Sequence, residues 1–213
     1  MDLKTSLTNR IPDEVLIKKI LAGEKRLFEH IMRSYNQRLY RIGMSILDND
    51  MEVEDAMQNA YINAYEHLNS FEERSSFGTW LTRIMVNECL AQKKKKMKFK
   101  MELENHPGNP FNMKTPAAVL ANKELSGVLE KAVGRLPEKY RLVFVLREIE
   151  EMSVKQTSET LSIEESNVKA RLSRAKMMLR ENLNGFMKEN VYSFHLTRCN
   201  RIVDNVLARL NIE

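Results

Sequence analysis

Cysteine is scarce in this chain. Only Cys89 and Cys199 occur in 213 residues, far apart and outside any CxxC pair, which excludes a disulfide framework and a zinc knuckle. The four histidines, His30, His67, His106 and His195, are scattered with no HExxH or Glu-x-x-His spacing, so no metal centre is expected. Seven glycines and five prolines leave little punctuation, a pattern that favours helices. A Gly-rich phosphate loop and a nucleophile–base pair are both missing, so neither catalysis nor a cofactor is expected. No apolar run approaches the ~20 residues of a membrane span, and MDLKTSLTNRIPDE has no apolar h-region. The expectation is a protein of a reducing cytoplasm with no membrane insertion.

What is present is 43% hydrophobic and 30% charged residues with a net charge of +5. That composition describes a globular chain rather than a disordered one, basic enough to suit a nucleic-acid partner. Apolar residues recur at helical spacing almost throughout. A first helix opens at Pro12-Asp13-Glu14 and stops at Ala22-Gly23, a second spans about residues 24–47, and a third spans residues 51–68. The polar segment of the second helix, residues 36–41, reads as its solvated side.

The third helix carries two faces. Val53, Met57, Ala60, Tyr61, Ala64 and Leu68 form a core stripe, and Asp55, Gln58, Asn59, Ile62 and Glu66 lie opposite. Solvation is the default reading of that second face. An isoleucine among acids and amides also suits a basic protein partner. Residues 69–96 follow: a polar loop with two aromatics expected to be exposed, Phe71 and Phe77, a Ser75-Ser76 helix start, the lone Trp80, and the block Lys93 to Lys96. A base-sized pocket beside a positively charged helix and a capped core helix with a solvated end are both compatible with this stretch.

Prolines 107, 110 and 116 with Gly108 mark a linker, which divides the chain into helical units at 12–98 and 117–185, with the linker at 99–116 and an amphipathic extension at 186–213. The second unit has a helix from 117 to about 133, a very apolar helix starting at Leu136-Pro137-Glu138, and then a short helix, a tight turn at 162–164 and a basic helix from Glu165 to about Leu183. This is the helix-turn-helix pattern. On the last helix Val168, Leu172, Ala175 and Leu179 fall within about 60° of arc. Ser166, Asn167, Ala170, Ser173 and Arg174 lie opposite, flanked by Lys169, Arg171, Lys176 and Arg180. Small and hydrogen-bonding groups between cations suit a major groove, where phosphate contacts position a helix and other side chains read bases. The extension, with Phe194, Leu196, Ile202, Val203, Val206, Leu207 and Leu210, is expected to fold back on its own unit. The fold class expected is all-α: two small helical domains joined by a flexible linker, the second with a helix-turn-helix.

In this order the features resemble a bacterial sigma factor of the extracytoplasmic-function group. DMEVEDAMQNAYINAYEHL resembles the helix that docks on the RNA polymerase clamp, and FEERSSFGTWLTRIMVNE resembles the promoter-melting and minus-ten segment. LPEKYRLVFVLREIEEMSVKQTSETLSIEESNVKARLSRAKMMLR resembles the minus-thirty-five reading domain. The resemblance implies that core polymerase, through its β′ clamp and β flap, and promoter DNA are the partners. Asp55, Gln58, Asn59, Ile62 and Glu66 would meet the polymerase. Ser70, Phe71, Arg74, Ser75, Phe77, Trp80, Arg83, Asn87, Lys93 and Lys94 would hold the minus-ten strand, with a flipped base at the Phe71 loop. Ser166, Asn167, Lys169, Ala170, Arg171, Ser173, Arg174 and Lys176 would read the minus-thirty-five duplex. Family membership also allows an anti-sigma partner, which no residue here identifies. Asn59 and Gly78 depart from the family pattern, at the places of an acid and of a larger side chain. The competing reading is a stand-alone helix-turn-helix regulator of duplex DNA.

Overall fold

Each helix of the first module starts where local chemistry dictates. The computed structural model describes residues 11–104, 124–190 and 196–210. Helix α1 (Asp13–Leu21) follows Pro12 and carries Asp13 and Glu14 in its first turn, acids at the positive end of the helix dipole. After a 3-10 turn at Lys25–Leu27 comes α2 (Phe28–Met44). It ends three residues short of the expected 47, where the Ser45 hydroxyl donates to the Ile42 carbonyl at 2.6 Å and competes with the helical ladder. Asn49 caps α3 (Asp50–Glu66) by accepting the N–H groups of Met51 and Glu52 at 2.9 and 3.2 Å. Ser76 receives the N–H of Thr79 at 3.3 Å and opens α4 (Phe77–Glu104).

Helix α4 runs through the lysine block and past the expected linker start at 99. Its Lys, Met and Glu residues are good helix formers, and the first breaking proline comes only at 107. Residues 105–116 and the helix start set at 117 lie outside the described residues. Ile31, Leu39 and Ile42 of α2, Val53 and Ala60 of α3, and Leu81, Met85 and Cys89 of α4 are fully buried together. Gly43 marks the closest approach: a Cβ there would lie 2.6 Å from Val53 Cγ1 and 2.8 Å from Met85 Cε.

The second module contains α5 (Glu124–Gly134), α6 (Glu138–Phe144), α7 (Val154–Leu161) and α8 (Glu165–Asn190). Helix α6 begins after Pro137 and widens into a π turn at Val145–Ile149, closed by the Glu150 N–H on the Val145 carbonyl at 2.9 Å. Glu151, at φ 53°, breaks it. A reciprocal capping box then starts α7. Ser153 Oγ accepts the Gln156 N–H at 3.1 Å, and Gln156 Oε1 accepts the Ser153 N–H at 2.7 Å. Ser162 turns the chain in the left-handed region (φ 51°), and Ser158 Oγ donates across the turn to the Ile163 carbonyl. Leu136, Tyr140, Phe144 and Ala175 pack as this module's own core.

Helix α6 serves two cores. Tyr140 and Phe144 face α8, whereas Leu142, Val145, Leu146 and the following Met152 join the core cluster of the first module. The two modules therefore pack against each other. Arg38 and Arg41, on the side of α2 expected to be solvated, are instead partly covered by Glu150 of the second module.

Helix α9 (Leu196–Leu210) carries the apolar stripe foreseen in the extension. Ile202, Val203 and Val206 stay about half exposed and Leu207 is 37% exposed. Phe194 lies outside the described residues. Among the described residues no helix is long and apolar enough to cross a membrane.

Candidate functional site

The sequence-predicted residues occupy three surfaces. On α3 the division into faces is as foreseen: Val53, Ala60, Tyr61, Ala64 and Leu68 are buried, while Asp55, Gln58, Asn59, Ile62 and Glu66 are exposed, Ile62 at 57%. Ala56 also belongs to the buried side. Asp55, Gln58 and Asn59 line one wall of a groove of ≈ 400 Å³, and Glu88, Gln92 and Lys95 of α4 line the other. Gln92 Oε1 is buried there without a hydrogen-bond partner. A neighbouring depression lined by Met32, Arg33 and Asn36 of α2 and by Met57 and Gln58 extends this surface onto α2. The Tyr61 hydroxyl below it contacts Asn36 Oδ1 at 2.9 Å, and burial raises its pKa. None of the α2 residues was singled out from sequence, since nothing in their spacing says that α2 lies beside α3.

The second surface is the loop before α4. Ser70, Arg74, Arg83, Asn87 and Lys94 are exposed or open to solvent, and Phe71, Ser75, Trp80 and Lys93 are half-buried. Phe77 corrects the expectation of an exposed ring. It is 3% exposed, wedged against Tyr35 (centroids 5.8 Å), Phe71 (5.5 Å) and Trp80 (5.6 Å). As the first residue of α4 it points back into the α2–α4 seam, which a loop reading could not reveal. Phe71 leans on Trp80 at 5.3 Å, so the aromatic trio pins the loop from below. Glu73 lies in the left-handed region (φ 54°), and Arg74 pairs with Glu72 at the tip.

Gly78 is explained by the same seam. A Cβ there would meet Tyr35 Cε1 at 3.0 Å and Arg38 Nη1 at 3.2 Å, so the crowding of α4 on α2 favours glycine. On α4, two of the expected strand-binding cations are tied to the second module: Arg83 Nη2 donates to the Glu159 carbonyl at 2.7 Å, and Lys93 pairs with Glu138.

The third surface is α8. Val168 and Ala175 are buried and Leu172 and Leu179 half-buried, while Ser166, Asn167, Lys169, Ala170, Ser173, Arg174 and Lys176 are exposed and Arg171 is half-buried. This is the predicted division between seam and reading face. Arg174 Nη1 donates to the Tyr140 hydroxyl at 3.4 Å, and that hydrogen bond holds the phenol below its usual pKa. Lys176 pairs with Glu148 at 2.9 Å. Both cations are thereby oriented from the preceding π-turn helix.

Comparison with known proteins decides what these surfaces belong to. Residues 31–99 match the model of Sigma-70 region 2, and residues 126–179 match that of Sigma-70, region 4. The ECF RNA polymerase sigma factor SigW of Bacillus subtilis is 32% identical over 176 residues, covering 78% of this chain and 94% of that protein. The chain belongs to the ECF sigma factors. The ECF RNA polymerase sigma-E factor of Escherichia coli K12 is also similar, at 26% identity over 179 residues, covering 80% and 93% of the two chains. Among solved structures, the sigma factor RpoE of Bartonella quintana, crystallised with the anti-sigma factor NepR, has a TM-score of 0.60 at 20% identity, covering 74% of this chain and 96% of that one. CnrH in complex with the cytosolic domain of CnrY has a TM-score of 0.58 at 21% identity over 81% and 97%. These two share the fold. As a sigma factor the protein directs RNA polymerase to promoters.

Proposed function

We propose that residues 12–98 form the unit that binds core polymerase and captures the minus-ten strand, and residues 117–185 the unit that reads the minus-thirty-five duplex. The linker would span 99–116 and the extension 186–213. The observation that carries this reading is the exposure, in chain order, of an amide-and-acid face on α3, an aromatic-pinned loop before α4 and a small-residue face on α8. A stand-alone duplex-binding regulator would use the third surface and leave the first two without a purpose.

On this reading Asp55, Gln58, Asn59, Ile62 and Glu66 dock on the β′ clamp. Gln92 Oε1, an acceptor without a partner in the same groove, suits a donor from a basic clamp residue, because a buried acceptor left unpaired costs ~1–3 kcal/mol. Ser70, Phe71, Arg74, Ser75, Trp80, Arg83, Asn87, Lys93 and Lys94 engage the non-template strand, with Phe77 supporting them from beneath. Stacking on an aromatic contributes ~1–3 kcal/mol per base, too little to unpair several bases unaided, so melting draws on the polymerase. Ser166, Asn167, Lys169, Ala170, Arg171, Ser173, Arg174 and Lys176 meet the upstream duplex, and the second unit docks on the β flap. No bond chemistry is assigned to the chain, which would act in the cytoplasm where polymerase and promoters meet. An anti-sigma partner is a natural extension, since the RpoE neighbour was crystallised with the anti-sigma factor NepR.

The test is reconstitution. Purified chain added to core polymerase should start transcription from discrete genomic sites in run-off assays, and failure at every site would sink the proposal. Asp55→Ala combined with Gln58→Ala should weaken co-purification with core polymerase without changing the helical circular dichroism. Unchanged co-purification removes the docking face.

A further inference from the structure

The groove between α3 and α4 does not end at Gln92 and Lys95. Past them its first part, of ≈ 400 Å³, opens into a second, more apolar part of ≈ 540 Å³ lined by Glu52, Gln92, Lys95, Lys96, Lys98 and Phe99. Phe99 is 63% exposed there, a large ring left in water and of a residue type enriched in protein interfaces.

The two walls are ridges of matching period. On α4, Glu88, Gln92, Lys95 and Phe99 recur at four, three and four, within about 60° of arc. On α3, Glu52, Asp55, Asn59, Ile62 and Glu66 recur at three, four, three and four, within about 80°. The Lys96–Glu52 ion pair near one end and the bond from Asn63 Nδ2 to Glu88 Oε1, 3.2 Å long, near the other set the two helices antiparallel. A third helix lays its own ridge between seams of this spacing. From Glu88 to Phe99 the trench runs about 16 Å, or three helical turns. Its charge is polarised along that length. Asp55, Glu66 and Glu88 mark one end, and Lys95, Lys96 and Lys98 surround Phe99 at the other, where Glu52 answers Lys96 alone.

We propose that one helix of core polymerase, about three turns long, lies along this trench. Its basic side chains meet Asp55 and Glu88, and its other end sets a carboxylate against Lys95 and Lys98 beside an apolar side chain on Phe99. This arrangement rests on the docking role proposed above for α3 and adds the far end of α4 as a second anchor, which fixes the direction in which the helix runs. Gln92 Oε1, the acceptor without a partner, sits where the two parts of the trench meet. Nucleic acid fits less well. A polyanion laid along the trench meets Glu52, Asp55 and Glu88, whereas a helix with opposite charges at its two ends meets complementary charge throughout.

The experiment titrates the full chain with core polymerase and reads the Kd by fluorescence anisotropy. Phe99→Ala should raise the Kd by about tenfold, the scale of loss on truncating an aromatic anchor, and Phe99→Leu should recover most of it because an apolar side chain remains. Lys95→Glu with Lys98→Glu should weaken binding as well. All three side chains are exposed, so the variants should keep the helical circular dichroism of the wild type. A benzophenone amino acid placed at position 99 should crosslink to a polymerase helix, and mass spectrometry of the joined peptide should find Asp or Glu within one turn of an apolar residue. The same group at position 97, where Met97 is 59% exposed but about 160° away around α4, should not reach that helix.

An unchanged Kd for both Phe99→Ala and the double lysine variant overturns the proposal. If Asp55→Ala with Gln58→Ala weakens binding in the same titration, only the second anchor is lost and the docking face stands. If that variant is unchanged too, the docking reading fails with it. A Phe99→Ala chain that binds core polymerase normally but yields a holoenzyme of lower promoter affinity assigns Phe99 to DNA, and equally overturns the proposal.

Discussion

Gly78 shows how a single residue can register a tertiary constraint. Alanine in its place would gain about 1 kcal/mol of helix propensity. The added methyl would press on Tyr35, whose ring is buried, packed on Phe77, and hydrogen-bonded to Asp13. A ring held at both ends gives way poorly, and overpacking costs ~1–3 kcal/mol. Gly78→Ala should therefore lower the unfolding free energy by about 1 kcal/mol net of the propensity gain, measured by urea denaturation; a stabilised variant would show that Tyr35 can shift. Cys89 makes a second residue-scale case. It is fully buried, and burial, with Glu88 adding to it, pushes its thiol up to about 12. The reactive thiolate is thus suppressed across the neutral range. Native protein at pH 8 should leave the Cys89 peptide unalkylated by iodoacetamide and label it fully in urea, as mass spectrometry of the digest will report. Rapid native labelling would mean that α4 opens locally.

Among the elements, α7 and α8 follow their local code closely. The Ser153–Gln156 capping box, the left-handed Ser162 and the division of α8 into a buried seam and an exposed polar face are all written in adjacent residues. Less local is the orientation of side chains on the exposed face of α8, because Arg174 is steered by Tyr140 from α6, across 34 positions of sequence. Arg174→Ala should change preference at one position of the upstream element by ~1–3 kcal/mol if the guanidinium reads a base. Competition binding of reconstituted polymerase to a promoter library will tell. A uniform loss over all sequences would make Arg174 a phosphate contact instead. Tyr140→Phe should give a weaker version of the same shift, since it removes the hydroxyl and keeps the ring.

For the whole molecule the decisive element is α6 with its π turn. Its residues from Tyr140 to Leu146 are apolar on nearly every side, and a helix of that kind is covered all round. The structure supplies the second cover as the first module. Leu146, at 0% exposure, sits in the shared cluster. Leu146→Ala should cost ~2–5 kcal/mol and should speed amide exchange in α2 and α4 as well as in α6 and α8. Faster exchange confined to the second module would mean that the cores are independent. The ionic ties add specificity more than strength, because Arg41 is 40% exposed in its pair with Glu150 and such pairs are screened. Apolar burial is thus the main term holding the modules together.

Residues close in sequence determined most of what could be read without a structure: helix starts at Pro12, Ser76 and Pro137, the two faces of α3 and α8, and the family itself. Those signals are legible because caps and helical periodicity act within one or two turns. Other features depended on which helices meet. The burial of Phe77, the crowding at Gly78, the α2 wall beside the α3–α4 groove and the capture of Arg83 and Lys93 by the second module all join residues tens of positions apart. The apolar run of α6 is plain in the sequence, but only the packing of the two modules decided that the chain's own first half covers its second side, since burial rewards any matching apolar surface and sequence pattern does not say which one is nearest.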